Sequence, residues 1–465
     1  MLSKARAALA ACLLPLLLSS CASLLEEAPE REALTRDALP ETTTIAAEWA
    51  TPVGDTGNVD DGWLASFNDP QLEILVNEAL DAQNPRMRVM SSFVDRAEAM
   101  ARLGGAALQP TVALGGSLSE TFGNDAVSGS SSGIGLAVSW EADVWGRVRA
   151  GANAAEEQYR AAIEDFEFAR QSLAASVARS WYLATELKMQ EALAVEIIDI
   201  LTKLVHVVEV KQRVGQVTME DVFLVRADLN SAEDALRQAI AGQRQARRSL
   251  EILVGRYPAA EIEANSDLVP VPPPVPTGLP SNLLERRPDL LAAERTVAAA
   301  FFVTEEARLA QLPAFTLTGG IGSSNSLDDL IGNIGIGLFA PLFTGGALEA
   351  QLDIASSDQE AAIASYGLAV LDALQEVEAA LTNEALLLER EQFLRAAEEN
   401  NQAAYRLSEK RYQIGEIELL NLLQQQSRWI GSRISHINIQ NQQLAQRITL
   451  HLALGGSFGE ARQLE

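Results

Sequence analysis

A duplication governs what this chain can become. Asn84-Pro85-Arg86-Met87 has its counterpart in Arg287-Pro288-Asp289-Leu290, and Pro110 in Pro313, each 203 residues on. Gly115-Gly116 returns as Gly319-Gly320, Gly133-Ile134-Gly135-Leu136 as Gly335-Ile336-Gly337-Leu338, and Val214-Gly215-Gln216-Val217 as Ile414-Gly415-Glu416-Ile417. Matches in one order at a nearly constant offset mark one supersecondary unit used twice. The repeats span 69–265 and 281–455. The Pro-rich connector 266–280, with Val269-Pro270-Val271-Pro272-Pro273-Pro274 inside it, is predicted to be extended. A tail, 456–465, follows.

Within each repeat the pattern predicts helix, β-hairpin, long helix, reversal, long helix. The first helix is expected from Pro85 to about Leu108, after a shorter one capped by Asp69-Pro70, and Pro110 starts a strand. Arg147 to Arg213 contains no proline, and Gly346 to Gln413 is nearly as long. A helix of that length measures roughly 100 Å at ~1.5 Å per residue and needs lateral partners. Val222, Val225, Leu229, Ala232, Leu236 and Ala239 supply them a seam, spaced 3-4-3-4-3. Gly215 and Gly415 stand at the two reversals, where a residue tolerant of positive φ closes a helix.

Four segments, about 111–121, 133–142, 314–322 and 333–342, alternate with period two. Ile134, Leu136, Val138 and Trp140 face away from Gly135, Ala137, Ser139 and Glu141. A soluble sandwich gives this pattern. So does a membrane barrel with small and polar residues toward a wet interior. The connections around 123–132 and 323–332 are polar, as external loops would be. A membrane strand needs a closed barrel, and single-chain bacterial barrels use at least about eight strands, so four cannot close alone. Three chains would supply twelve; two would also reach the minimum.

The N-terminus is a targeting segment. Lys4 and Arg6 precede an apolar run from Ala7 to Leu18, and Leu18-Ser19-Ser20-Cys21 ends it. This is similar to the bacterial lipobox, in which the cysteine is acylated and becomes the first mature residue. Residues 1–20 are therefore read as a signal peptide and 21–68 as a lipidated extension; a plain signal peptide with a chance cysteine is the alternative. Cys12 leaves with the signal, so the remainder holds one cysteine and no intrachain disulfide. Ala22, rather than Asp, favours the outer membrane in lipoproteins of this kind.

The formal charge of −27 becomes −29 once Lys4 and Arg6 are removed. That balance excludes nucleic acid as a partner, since phosphate contacts need a basic face. It fits an acidic solvated surface or an acidic pore lining. Hydrophobic residues at 48%, carried by Ala and Leu with few aromatics, suit long packed helices.

Other patterns carry no chemistry. Gly129-Ser130-Ser131-Ser132-Gly133 matches the G-x-S-x-G hydrolase pattern, but it leads from a loop into a strand, whereas a nucleophile elbow needs a strand before and a helix after. His206, His436 and His451 are scattered, with no metal-ligand spacing. Trp181-Tyr182, inside a long helix, is read as packing. No catalytic residue, metal or cofactor is expected beyond the covalent lipid on Cys21.

One set of short motifs points to a family. These are Trp63, Phe67-Asn68-Asp69-Pro70-Gln71-Leu72, Trp145-Gly146-Arg147, Arg286-Arg287-Pro288-Asp289-Leu290, Pro341-Leu342-Phe343-Thr344-Gly345-Gly346, Glu376-Val377-Glu378 and Tyr412-Gln413-Ile414-Gly415. In these the chain resembles the TolC-like outer-membrane efflux factors, in particular their lipoprotein branch. The resemblance implies a mainly α fold with a membrane β-barrel contribution. It implies a homotrimer with a 12-stranded barrel and an α-helical tunnel, held in outer-membrane lipid and extending into the periplasm. It implies docking to a periplasmic adaptor protein and an inner-membrane efflux pump, and passive export of small solutes. It places a periplasmic gate just after the second reversal, with Leu420 as hydrophobic gate residue and Arg411 as basic latch. The family often has an acidic residue four positions beyond that leucine, where this chain has Gln424; Glu416 and Glu418 are the nearby carboxylates. The competing reading is a periplasmic coiled-coil structural or adaptor lipoprotein.

Overall fold

A computed structural model of the chain describes residues 24–51, 57, 59, 61–121, 129–324 and 330–457. Cys21 with the whole of 1–20, the tail from 458 on, and the middles of both strand connections (122–128 and 325–329) lie outside the described residues.

The chain runs α1 (Arg31–Ala38), α2 (Trp63–Ser66), α3 (Pro70–Ala79), α4 (Pro85–Ala106), β1 (Thr111–Thr121), β2 (Gly129–Ala142), α5 (Arg147–Arg213) and α6 (Met219–Val254). After the connector come α7 (Leu283–Arg286), α8 (Pro288–Leu309), β3 (Ala314–Ser324), β4 (Leu330–Phe339), α9 (Ala347–Gln413) and α10 (Leu419–Ala453). The proline-free runs are single helices: α5 and α9 hold 67 residues each. β4 stops at Phe339 rather than near 342, before Pro341, which has no N–H to give a ladder. α4 ends at Ala106, and its last turn closes through Gln109 N–H donating to Ala106 O at 3.0 Å.

Two compact units cut across the repeats. One gathers the segment up to Thr44 with Ser92–Asp165 and Asp289–Val370; the other gathers Ile45–Ser91, Phe166–Pro288 and Leu371–Glu465. Each repeat contributes to both, so the duplication sets an element order and does not delimit separately packed domains.

The first unit carries an antiparallel sheet in the order β1-β2-β3-β4. Its register puts Leu114 opposite Leu136, Leu136 opposite Ile321, Trp140 opposite Leu317, and Leu317 opposite Ile336. The two hairpins are thus joined by β2 and β3, and β1 and β4 are the edges.

The second unit holds an apolar core from α2, α3, α5, α6 and α10, including Trp63, Phe67, Leu72, Leu75, Trp181, Tyr182, Leu250 and Leu444. Trp181 and Tyr182 are fully buried. The Trp181 indole Nε1 donates to Asp69 Oδ2 at 2.8 Å, while Asp69 Oδ1 caps α3 by accepting from Gln71 N and Leu72 N, both at 3.2 Å. One carboxylate therefore starts a helix and satisfies a buried indole. The connector is tied down in the same unit: Arg447 Nη1 donates to Pro272 O at 2.7 Å, and its Nη2 pairs with Glu384 at 2.5 Å.

Candidate functional site

The sheet has two chemically different faces. Alternation puts Val112, Leu114, Leu118, Ile134, Leu136, Val138, Leu317, Ile321, Ile334, Ile336 and Leu338 on one side, in register across all four strands. These side chains stay exposed in the single chain; Leu118 and Ile334 each keep 89% of their surface. The other face carries Gly115, Ser117, Ala137, Ser139, Thr316, Thr318 and Asn333, with Ile331 and Phe339 as apolar exceptions. An apolar face of this extent marks a surface that water does not cover in the working protein. Among the described residues β1 and β4 each pair on one side only.

At the helix-side end of the sheet two indoles pin the strand ends. Trp140 Nε1 donates to Leu108 O at 3.0 Å and Trp145 Nε1 to Pro313 O at 2.7 Å. Amphipathic rings of this kind belong at a bilayer boundary. Below them Asp143 caps α5, accepting from Val148 N at 2.9 Å and Arg149 N at 3.0 Å, and Arg147 grips Glu141 through two contacts of 3.0 and 2.9 Å. The N-terminal segment runs along α8 to this level: Arg31 pairs with Glu294 at 2.6 Å near the start of that helix, and Arg308 Nη2, six residues before β3, donates to Leu24 O at 2.8 Å. No helix among the described residues is long and apolar enough to cross a membrane.

The second unit presents the two helix reversals. Gly215 and Gly415 close α5 and α9 with φ of 76° and 81°, a backbone region that a side chain makes costly. The reversals stand level. Lys211 Nζ donates to Tyr412 O at 2.9 Å and sits 4.0 Å above the Tyr412 ring. The predicted gate residues gather at the second reversal. Arg411 Nε meets Glu416 Oε2 at 3.0 Å, with both side chains about half exposed. Leu420, 53% exposed, and Gln424, also exposed, lie one turn apart on α10. Leu420 is thus not absorbed into packing within its own chain, and Glu416 is paired rather than free.

Residues not singled out for a role in the sequence also shape this unit. Arg287, almost fully buried, bonds Glu376 at 2.7 Å, which brings two of the family-like motifs together. His436 of α10 lies between Glu398 and Glu391, the latter at 3.1 Å, with Arg433 on Glu398 at 2.6 Å and Arg395 on Glu391 at 2.5 Å. Burial pushes the Glu186 carboxyl up, opposed by the bond from Asn441. His451 is stacked on Trp63, its centroid 5.5 Å away; burial, then the neighbouring Arg447 charge, lowers it to about 3, so it is a neutral core ring.

Comparison with known proteins agrees with this geometry. The family model described as outer membrane efflux protein matches residues 75–256 and 279–456, one segment in each repeat. A probable efflux pump outer membrane protein, TtgC of Pseudomonas putida, is 29% identical over 443 residues, covering 90% of each chain. Among solved structures, the outer-membrane channel OprN superposes with a TM-score of 0.83 at 24% identity, over 91% of this chain and 99% of the other. The open state of the Neisseria gonorrhoeae MtrE outer membrane channel gives 0.80 at 26% identity, over 94% and 100%. The chain belongs to the outer membrane efflux protein family and is a channel subunit of an efflux system in the outer membrane.

Proposed function

We propose that three copies of the chain close their four-stranded sheets into one 12-stranded barrel. The long helices continue it as a tunnel into the periplasm, where a periplasmic adaptor and an inner-membrane pump dock. The conduit is passive, and small solutes pass through it without chemistry in this protein. The observation that carries the reading is the apolar sheet face bounded by β1 and β4, which among the described residues each pair with one strand only. In lipid an open edge strands its amides, and only closure with other copies removes it. A lipid on Cys21 fits the same arrangement. The described N-terminal segment begins at Leu24, whose carbonyl accepts from Arg308, six residues before β3.

Light scattering on the detergent-extracted complex, with the detergent subtracted, is expected to give the mass of three chains. A folded monomer would leave four strands with no way to close and would end this reading. Leu136→Asp, which puts a charge on the lipid side, is expected to abolish trimer recovery; wild-type yield would mean that the faces are exchanged. Cys21→Ser is expected to leave the chain without lipid, and acyl chains detected on that variant would remove Cys21 as the anchor.

A further inference from the structure

A seam between long helices closes only where the facing side chains are large enough to meet. On α6 the seam begins with Val222 and Val225, both buried, and then passes to Leu229 and Ala232, which are only partly buried. Around Ala232 the facing residues are small: Ala235 on the same helix and Ala194 on α5. They leave a cavity of about 290 Å³ between α5, α6 and α10. That is near the low end for small-molecule sites, which run from about 300 to 1,000 Å³. Ile197 and Leu201 of α5 and Ile430 of α10 give it apolar walls. Every lining residue belongs to the second unit, so the cavity is complete within one copy.

Two polar groups interrupt those walls, Gln426 of α10 and Asp228 of α6. Gln426 is 3% exposed, and among the described residues its amide Nε2 meets no acceptor. Buried donors left in that condition are rare and costly. Asp228 stands at the rim. Burial pushes its carboxyl up, and no cationic neighbour holds it down. Other carboxylates of the same hairpin are provided for: Asp199 pairs with Lys203 at 2.5 Å and Glu209 with Arg226 at 2.6 Å. The cavity therefore combines apolar walls, an uncompensated carboxylate and an unused amide donor.

We propose that this cavity is a binding site for a small amphiphilic organic cation, with its ammonium at Asp228, its apolar body against Ile197, Leu201 and Ile430, and an acceptor oxygen at Gln426 Nε2. Each part of the lining selects against something else. An anion meets the Asp228 charge, a purely apolar guest leaves both polar groups unmet, and a hydrated inorganic ion gains nothing from the walls. The site lies between α6 of the first repeat and α10 of the second, so its occupant touches both. It does not depend on the trimer proposed above.

The test is titration calorimetry on the full-length protein in a non-ionic detergent. The ligand is procainamide, which carries an aromatic ring, an amide carbonyl and an ammonium group. N-butyl-4-aminobenzamide keeps the ring and carbonyl without the charge, and butylammonium keeps the charge without the ring. Procainamide is expected to saturate at about one ligand per chain, and both comparison compounds to bind more weakly by about tenfold. Asp228→Asn is expected to weaken procainamide by about tenfold while changing the neutral analogue less than about twofold, and Asp228→Glu to restore most of the loss. Partition into detergent micelles is the same for every variant and cancels in this difference. Ala235→Leu, which fills the cavity from α6, is expected to weaken both aromatic ligands. Asp228 and Ala235 are both exposed, so these substitutions leave the core intact. Procainamide binding that Asp228→Asn does not change would overturn the proposal, as would a neutral analogue that binds equally well. Butylammonium binding as tightly as procainamide would assign the site to a lysine-like stem and overturn the amphiphile. No effect of Ala235→Leu would put the ligand elsewhere.

Discussion

The two helix reversals come from the same duplicated sequence, 200 residues apart, and are held differently. After Gly215, Thr218 caps α6 in a capping box: its hydroxyl accepts from Asp221 N at 3.3 Å and Asp221 Oδ2 accepts from Thr218 N at 2.8 Å. A further tie crosses that hairpin, Arg226 Nη2 to Glu209 Oε1 at 2.6 Å. After Gly415 the matching residues are Glu418 and Asn421, and the Glu418 side chain makes no capping bond. Glu409 and Gln426 stand where Glu209 and Arg226 did, and Gln426 has no charge to offer. Within its own hairpin the second reversal has the exposed Arg411–Glu416 pair, and exposed pairs are worth little; Lys211 of the first hairpin adds its bond to Tyr412 O. The first reversal carries more local bonds than the second, and the second is the one that carries Leu420.

If that difference is functional, the largest effect is on current. Leu420→Ser is expected to raise the resting single-channel conductance in planar bilayers, whereas Glu220→Ser, at the equivalent place in the first repeat, is expected to leave it unchanged. Equal conductances would mean that the second reversal gates nothing. Next come the glycines. Gly215→Ala and Gly415→Ala each force a side chain into positive φ, which costs about 1–2 kcal/mol. Amide exchange around each reversal is expected to quicken by similar factors. A much smaller effect at Gly415 would show that the second turn relaxes into another backbone, which sharpens the contrast. Removing the box with Thr218→Ala is expected to cost about 1 kcal/mol locally, and installing it with E418T/N421D to gain about the same. The grafted box is also expected to shorten the open dwell time; a graft that slows exchange but leaves gating untouched would separate mobility from conduction.

Much of the fold was legible from local signals. The absence of proline over Arg147–Arg213, the glycine at each reversal and the period-two alternation in four segments are short-range patterns, and each produces its element wherever the chain then goes. The capping box was also open to reading, since Thr218 and Asp221 stand at the required spacing. What could not be read joins residues far apart in the chain. Nothing near Asp69 announces that it meets Trp181, and nothing near Pro272 announces Arg447. The two compact units interleave the repeats for the same reason: periodicity sets which face of a helix is apolar but not which distant face covers it. At the candidate gate, the family pattern pointed to Leu420 and Arg411, while the Arg411–Glu416 pairing needed three dimensions.

The smallest expected effect concerns acid. The hydrogen bond from Arg226, with the Arg226, Arg213 and His206 charges, holds the Glu209 carboxyl below its ordinary value of 4.5. A carboxyl depressed in the folded state contributes stability that is present above the unfolded value and lost as pH falls through the folded one. The first hairpin is therefore expected to loosen as pH drops below about 4.5, toward the looseness of the second. Glu209 is solvent-exposed, so the change is modest and weakens with salt. Amide exchange across 209–226, followed in the wild type and in Arg226→Gln from neutral to acid pH, reads it directly. The variant is expected to start looser and to respond less to acid, so that the two proteins converge at the low end. An unchanged acid midpoint in Arg226→Gln would show that another group ties the first hairpin, and the contrast between the reversals would then rest on the Thr218 cap alone.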